Sequence, residues 1–288
     1  MVTGRLRAEV VSGLARNKLA LASAVFILAV CLAALFAPWL APYSFDQPDF
    51  NHTLEPPSRL HIMGTDHLGR DLFSRLIYGA RVSMMVGFLS ALIALAIGTM
   101  YGSISALVGG RLDNLLMRIV EVVYSLPDLL LIILISVVIG RGIWAIFIAL
   151  GLVRWASIAR LVRGQVLLIR ELAYMEAADA MGVSWSGKFF RHVLPNILGL
   201  VLVVMTLAVP SAILAESTLS FLGLGLAPPF SSWGTLASDG WRAFRSFPHL
   251  IIFPSLAIFA TILAFNFLGD GLRDILDPRF PARWQRKP

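Results

Sequence analysis

The sequence predicts an all-α, polytopic membrane protein with six transmembrane helices. Three observations carry that expectation. The 288-residue chain is 58% hydrophobic and only 14% charged, whereas soluble domains carry about 25% charged residues. Its charges gather in short segments between long apolar runs, each long enough at about 1.5 Å per residue to cross a hydrocarbon core of about 30 Å. The weak strand-by-strand alternation of a membrane β-barrel is missing. The net charge is +7, but Lys and Arg sit mainly between the spans, as the positive-inside bias expects, and this argues against a nucleic-acid partner. Cys31 is the single cysteine and lies in the first apolar run, so no intrachain disulfide forms.

Residues 1–18 form a basic lead-in with Arg5, Arg7, Arg16 and Lys18. The first span covers 19–40; a cleaved signal peptide is the alternative, with an unusually long apolar core. An external segment, 41–80, is rich in Pro, Asp and Asn. Its His52, His61 and His67 fit no compact metal-ligand spacing and read as solvated loop histidines. Asp66 is placed to cap a short helix, and Arg70 and Asp71 to form ion pairs.

Residues 81–270 hold five further spans. The second, about 82–107, carries Gly98 and Gly102, a small-xxx-small packing seam. The third, about 115–139, contains Glu121, Pro127 and Asp128, and Pro127 should kink it. After the turn Gly140-Arg141-Gly142 the fourth span, about 143–163, holds Arg154. That guanidinium is expected to pair with Glu121 or Asp128, since a lone charge inside a span is costly. The fifth span, about 197–218, is interrupted by Pro210 and ends near Glu216, the last intramembrane charge candidate. The sixth covers about 250–268, and the tail, 271–288, is basic again with Arg283, Arg286 and Lys287.

Six spans put both termini on one side. Most Lys and Arg fall on that side, while Arg59, Arg70, Arg75, Arg81, Arg141, Arg242 and Arg245 fall on the other. The reading is therefore N- and C-termini cytoplasmic. The sizeable external segments, 41–80 and 219–248, expose Asp46, Asp49, Glu55, Asp66, Asp71 and Asp239. Trp233 and Trp241 suit a membrane interface or a protein contact, and these loops read as a cap that receives another protein.

The stretch 171–195 looks soluble yet lies between two spans. Residues 171–181 are helix formers, with Ala at 173, 177, 178 and 180. Gly182 permits a turn that a β-carbon would resist, Ser184 can cap a second helix, and Pro195 marks the next boundary. Small residues around Glu176 and Asp179 make this helix–turn–helix a docking surface. Gly182 to Lys188 also has the spacing of a phosphate-binding loop, but Phe189 stands where Ser or Thr would ligate magnesium and no strand precedes it.

Glu176-Ala177-Ala178, Gly182 and Leu194-Pro195 together resemble the EAA loop of permease subunits in binding-protein-dependent ABC importers. His192 departs from the isoleucine usual in that family. Residues 63–81, 216–234 and 265–279 are similar to the dipeptide, oligopeptide and nickel branch of these permeases. The resemblance implies a type I ABC importer permease fold, with Glu176, Ala177, Ala178, Asp179, Gly182, Leu194 and Pro195 coupling the chain to a cytoplasmic ATPase. It implies a homologous second permease, two ATPase subunits or domains, an external substrate-binding protein and surrounding lipid of a bacterial inner membrane. No cofactor is expected on this chain; ATP and magnesium belong to the partner subunits. Di- or oligopeptides are the first expectation for the solute, nickel or glutathione the next. The rival reading is an ion-coupled secondary transporter using Glu121, Asp128 and Arg154, for which a repeat with matched broken helices is wanting. A membrane enzyme would need a nucleophile–base or metal constellation, and the sequence offers none.

Overall fold

The computed structural model describes residues 13–15, 17–140 and 142–276. Arg5, Arg7, Arg16, Arg141, Arg279, Arg283, Arg286 and Lys287, which entered the orientation and family arguments, lie outside them. Among the described residues the elements are helices, beginning with α1 (Lys18–Leu35), which starts at Asn17, whose side chain accepts from the Ala20 amide at 3.1 Å. A single turn, α2 (Ala37–Leu40), follows.

Helix α3 (Leu72–Val108) has 37 residues and begins well before the expected start near 82. Asp71 supplies the cap, accepting from the Ser74 amide at 2.8 Å. At 1.5 Å per residue α3 is about 55 Å long and overruns a hydrocarbon core of about 30 Å. The expected third span is broken into α4 (Gly110–Ser125) and α5 (Asp128–Ile139), which meet at 91°. A proline pushes the residue before it out of the helical region, and Leu126 and Pro127 are both extended. The result is a corner where the sequence predicted a kink.

Helix α6 (Ile143–Arg170) packs on α3 more extensively than any other pair. The seam runs through the predicted glycines. A β-carbon on Gly98 would lie 2.7 Å from Ile158 Cβ, and one on Gly102 would lie 2.3 Å from the Ala159 carbonyl oxygen. The two backbones approach this closely because nothing stands between them.

After α6 come two short helices, α7 (Ala173–Ala180) and α8 (Trp185–Lys188), then a π-helical turn over Phe189–Val193 and α9 (Leu194–Phe221). Pro195 lies in the first turn of α9, and Pro210 sits inside the helix without ending it. Helix α10 (Trp233–Arg242) lies against α11 (His249–Leu276), which also packs on α9 and α1. Among the described residues five helices are long and apolar enough to cross a membrane, and the bent α4–α5 pair passes the same length and composition test when its two parts are taken together. Among the described residues the predicted all-α architecture holds, with five spans and a sixth when the bent pair is counted as one.

Candidate functional site

The elbow between α6 and α9 is held from below by its own apolar side chains. Met175 of α7 is fully buried and clusters with Phe189, Val193 and Ile197 against Ala106 of α3 and Val166 and Ile169 of α6; Ala178 is also buried. Helix α7 ends on a Schellman arrangement: the Val183 amide donates to Ala178 O and the Gly182 amide to Asp179 O, both at 3.0 Å. Gly182 has φ of +69°, the left-handed conformation that closing such a turn requires. Ser184 caps α8, accepting from the Gly187 amide at 3.3 Å, as the sequence predicted. Lys188 reaches back to Asp179 and ties α8 to α7. Its partner is a carboxylate of its own elbow, whatever the spacing from Gly182 resembles.

The elbow's outward surface carries Glu176, Ala177 and Asp179 beside large exposed apolar groups, with Met181 75% and Phe190 60% exposed. One correction applies to the predicted docking face. Ala177 and Ala178 were expected to act together, but successive helix positions point about 100° apart, and Ala178 is turned into the chain's own core. Leu194 and Pro195 are half-buried where α9 starts, and Leu194 packs on the elbow core. His192 lies against Tyr174 with ring centroids 5.7 Å apart.

At the opposite end, 41–71 folds into a cap on α3. Asp66 is its hub. Its carboxylate accepts from the amides of Leu68 (2.8 Å) and Arg70 (3.0 Å) and from Arg70 Nε (2.8 Å), and it pairs with Arg75 of α3. Burial alone would push this carboxyl up; the charges of Arg75 and Arg70 and the two amides outweigh it and hold it below its ordinary value. Asp66 therefore organises a buried charge network, where a simple helix cap was expected. His61 is likewise not a solvated histidine: it is buried, with Nδ1 3.0 Å from Asp71. His52 stays partly exposed, and its hydrogen bond to Asp49 at 2.8 Å raises the imidazole and lowers the carboxyl. Asp46 and Asp49 keep exposed surfaces.

Trp233, expected at an interface, is instead a buried anchor. Its amide donates to Ser83 Oγ and its indole to Leu76 O, both at 3.0 Å. Trp241 does face outward, 61% exposed. Nothing in the sequence distinguishes these two tryptophans, because each follows a small residue in a polar stretch.

Among the described residues no ion pair joins Arg154 to Glu121 or Asp128. Arg154 of α6 donates to Ser211 of α9, and Glu121 instead pairs with Arg118 one turn away at 3.1 Å. Asp128 opens α5 and is exposed. Glu216 is fully buried, accepting from Ser220 Oγ (2.8 Å) and Ser232 Oγ (2.6 Å), and so joins the end of α9 to the cap of α10. The sequence reading missed the bidentate Arg163–Asp113 pair, at 2.7 and 2.6 Å, and the Arg170 bond to Ala106 O at 2.8 Å. Together they clamp α6 to α4 and α3 beside the elbow.

Comparison with known proteins follows the same lines. Residues 94–281 match the binding-protein-dependent transport system inner membrane component model, and residues 6–57 match the N-terminal transmembrane domain of oligopeptide transport permease C. The chain is 44% identical over 91% of its length to an oligopeptide transport system permease protein of Bacillus subtilis, 86% of which is covered. It is 45% identical over 92% of its length to the dipeptide permease protein of the same organism, covering 83% of it. A glutathione transport system permease protein of Escherichia coli is 40% identical over 92% of this chain, with 88% of that protein covered.

Proposed function

The chain belongs to the family of inner-membrane components of binding-protein-dependent transport systems, and from that membership we propose that it is one of two homologous permease subunits of an ATP-driven importer for di- or oligopeptides. The oligopeptide and dipeptide relatives support the solute class over glutathione, because their identity to this chain is higher. ATP and magnesium act in partner ATPases; an external binding protein delivers the solute; both termini and the elbow face the cytoplasm.

The observation that carries the reading is the elbow. A short helix anchored from below by Met175 and Ala178 leaves Glu176 and Ala177 exposed, and Met181 and Phe190 of the same elbow are exposed as well. Such a surface fits a groove: small residues allow close approach, apolar rims exclude water, and one carboxylate fixes register. The clamp of Arg163 and Arg170 makes displacement of the elbow a displacement of α6 and α3.

The test is cross-linking in a Cys31→Ser background. Ala177→Cys should join a cysteine in the ATPase groove, and Ala178→Cys, facing inward, should not. Failure of Ala177→Cys to cross-link in a complex that still imports peptide would remove the elbow from the coupling contact.

A further inference from the structure

Helix α4 presents three stripes. One turns into the chain: Asp113 binds Arg163, Leu116 O accepts from Tyr101 Oη at 2.9 Å, and Val120 is fully buried against Ala156 and Ala159. A second stripe, Leu112, Leu115, Ile119 and Val122, is apolar and exposed. The third is Arg111, Asn114, Arg118, Glu121 and Ser125, polar at every step and exposed at every step. Each set recurs at alternating intervals of three and four residues, the spacing of one helix face.

The depth of this helix decides what the polar stripe can face. Helix α5 has 12 residues, about 18 Å, so its start at Asp128 lies beyond the midplane of a core of about 30 Å. The 91° corner then sends α4 obliquely across the inner half of the membrane. There Arg118 and Glu121 pair with one another but remain 80% and 56% exposed. Turned to lipid, each would cost on the order of 3 kcal/mol on insertion scales, and one exposed ion pair returns well under that. The neighbouring apolar stripe can meet lipid or a second subunit; the polar stripe needs polar surroundings, and a water-filled cavity supplies them. Arg160 of α6 lies over Tyr124 at 4.3 Å and extends the same wet surface.

We infer that the polar stripe of α4 lines the water-filled solute path, and that it takes a short peptide with both termini free. The inference rests on the permease reading. Glu121 offers an anion to a terminal amine, Arg118 and Arg111 offer cations to a terminal carboxylate, and Asn114 and Ser125 bond to backbone amides. No step needs these groups to titrate, since binding and release follow the alternating exposure of the path.

The experiment uses the complete importer in proteoliposomes, in the Cys31→Ser background. A membrane-impermeant cationic thiol reagent is applied from the ATPase side to single variants Asn114→Cys, Ser125→Cys, Leu115→Cys and Val122→Cys. The first two should label, at rates that differ between the nucleotide-free and ATP-trapped states and fall under saturating peptide; the last two should stay unlabelled. Labelling of Asn114→Cys and Ser125→Cys that ignores both nucleotide and peptide would assign the stripe to the cytoplasmic surface and overturn the inference, as would a lack of labelling. Glu121→Gln should also lose most of the importer's preference for free-amine over N-acetylated peptides, and an unchanged preference counts against the assigned occupant. Any of these failures in a complex that still imports peptide leaves the permease reading standing; a chain that purifies without ATPase subunits would sink that reading instead.

Discussion

Replacing Gly182 with Val separates backbone energy from packing unusually well. An added β-carbon at this position meets nothing within 4 Å, so the substitution creates no clash. What changes is the cost of holding φ at +69°, which for a residue with a β-carbon is about 1–2 kcal/mol. That lowers the population of the intact turn by roughly 5–30-fold against its alternatives. Met175 and Phe189, on either side, remain buried, so the chain should still insert and assemble. The assay is the ratio of peptide imported to ATP hydrolysed by the reconstituted complex. We expect ATP hydrolysis to persist and the ratio to fall for Gly182→Val, while Gly182→Asn, whose side chain tolerates the left-handed region, stays close to the parent. A Val variant that couples as well as the parent refutes the reasoning. So does an Asn variant that fails as badly as Val, because the defect would then not lie in φ.

Four further outcomes follow from the geometry. Gly102→Val forces the α3–α6 seam apart at the Ala159 carbonyl and should cost about 1–3 kcal/mol, read as a lower thermal midpoint in detergent, whereas Gly142→Ala, with open space around it, should be near neutral. Asp66→Asn leaves Arg70 and Arg75 buried without their carboxylate and should cost about 3–5 kcal/mol, read as faster proteolysis within 41–71. The Asp49–His52 pair has a raised imidazole and a lowered carboxyl, so its contribution is complete between the ordinary values of 3.8 and 6.5; it fades as pH rises through the folded His52 value or falls through the folded Asp49 value, and hydrogen-exchange protection over 47–55, taken relative to the unfolded rate at each pH, should be greatest inside that window. Charge reversal at Asp46 and Asp49 should weaken a salt-sensitive association with the binding protein, measured by titration at two ionic strengths.

What was legible in the sequence was whatever depends on near neighbours in the chain. Gly98 and Gly102 showed the seam, because their spacing places them on one face. Gly182 and Ser184 showed the end of one helix and the start of the next, because both signals are local. Pro127 showed a disturbance but not its size: removing one donor kinks a helix, and the 91° corner needed Leu126 to turn extended as well. Partners distant in sequence were out of reach. Arg154 had two acidic candidates at similar depth, and only the rotation of α6 against α9 decides that it meets Ser211. Trp233 looked like its neighbour Trp241, and the hydroxyl that anchors it, Ser83, lies 150 residues away. Ala178 was assigned to the wrong side of α7 because small residues read alike whether they admit a partner or fill a core.

The close approach of α3 and α6 at Gly98 and Gly102 has a mechanical consequence. At Gly102 the neighbour is the Ala159 carbonyl and at Gly98 the β-branched Ile158, groups with little freedom to yield, so α6 is held firmly along α3, a helix about 55 Å long. One end of that helix carries Asp71 and Arg75, and with them the cap; the other carries the packing around Met175, and with it the elbow. The α3–α6 pair is therefore the direct structural link between the elbow and the cap. The joint at Leu126–Pro127 is the opposite case: both residues are extended, and the helical path is broken between α4 and α5.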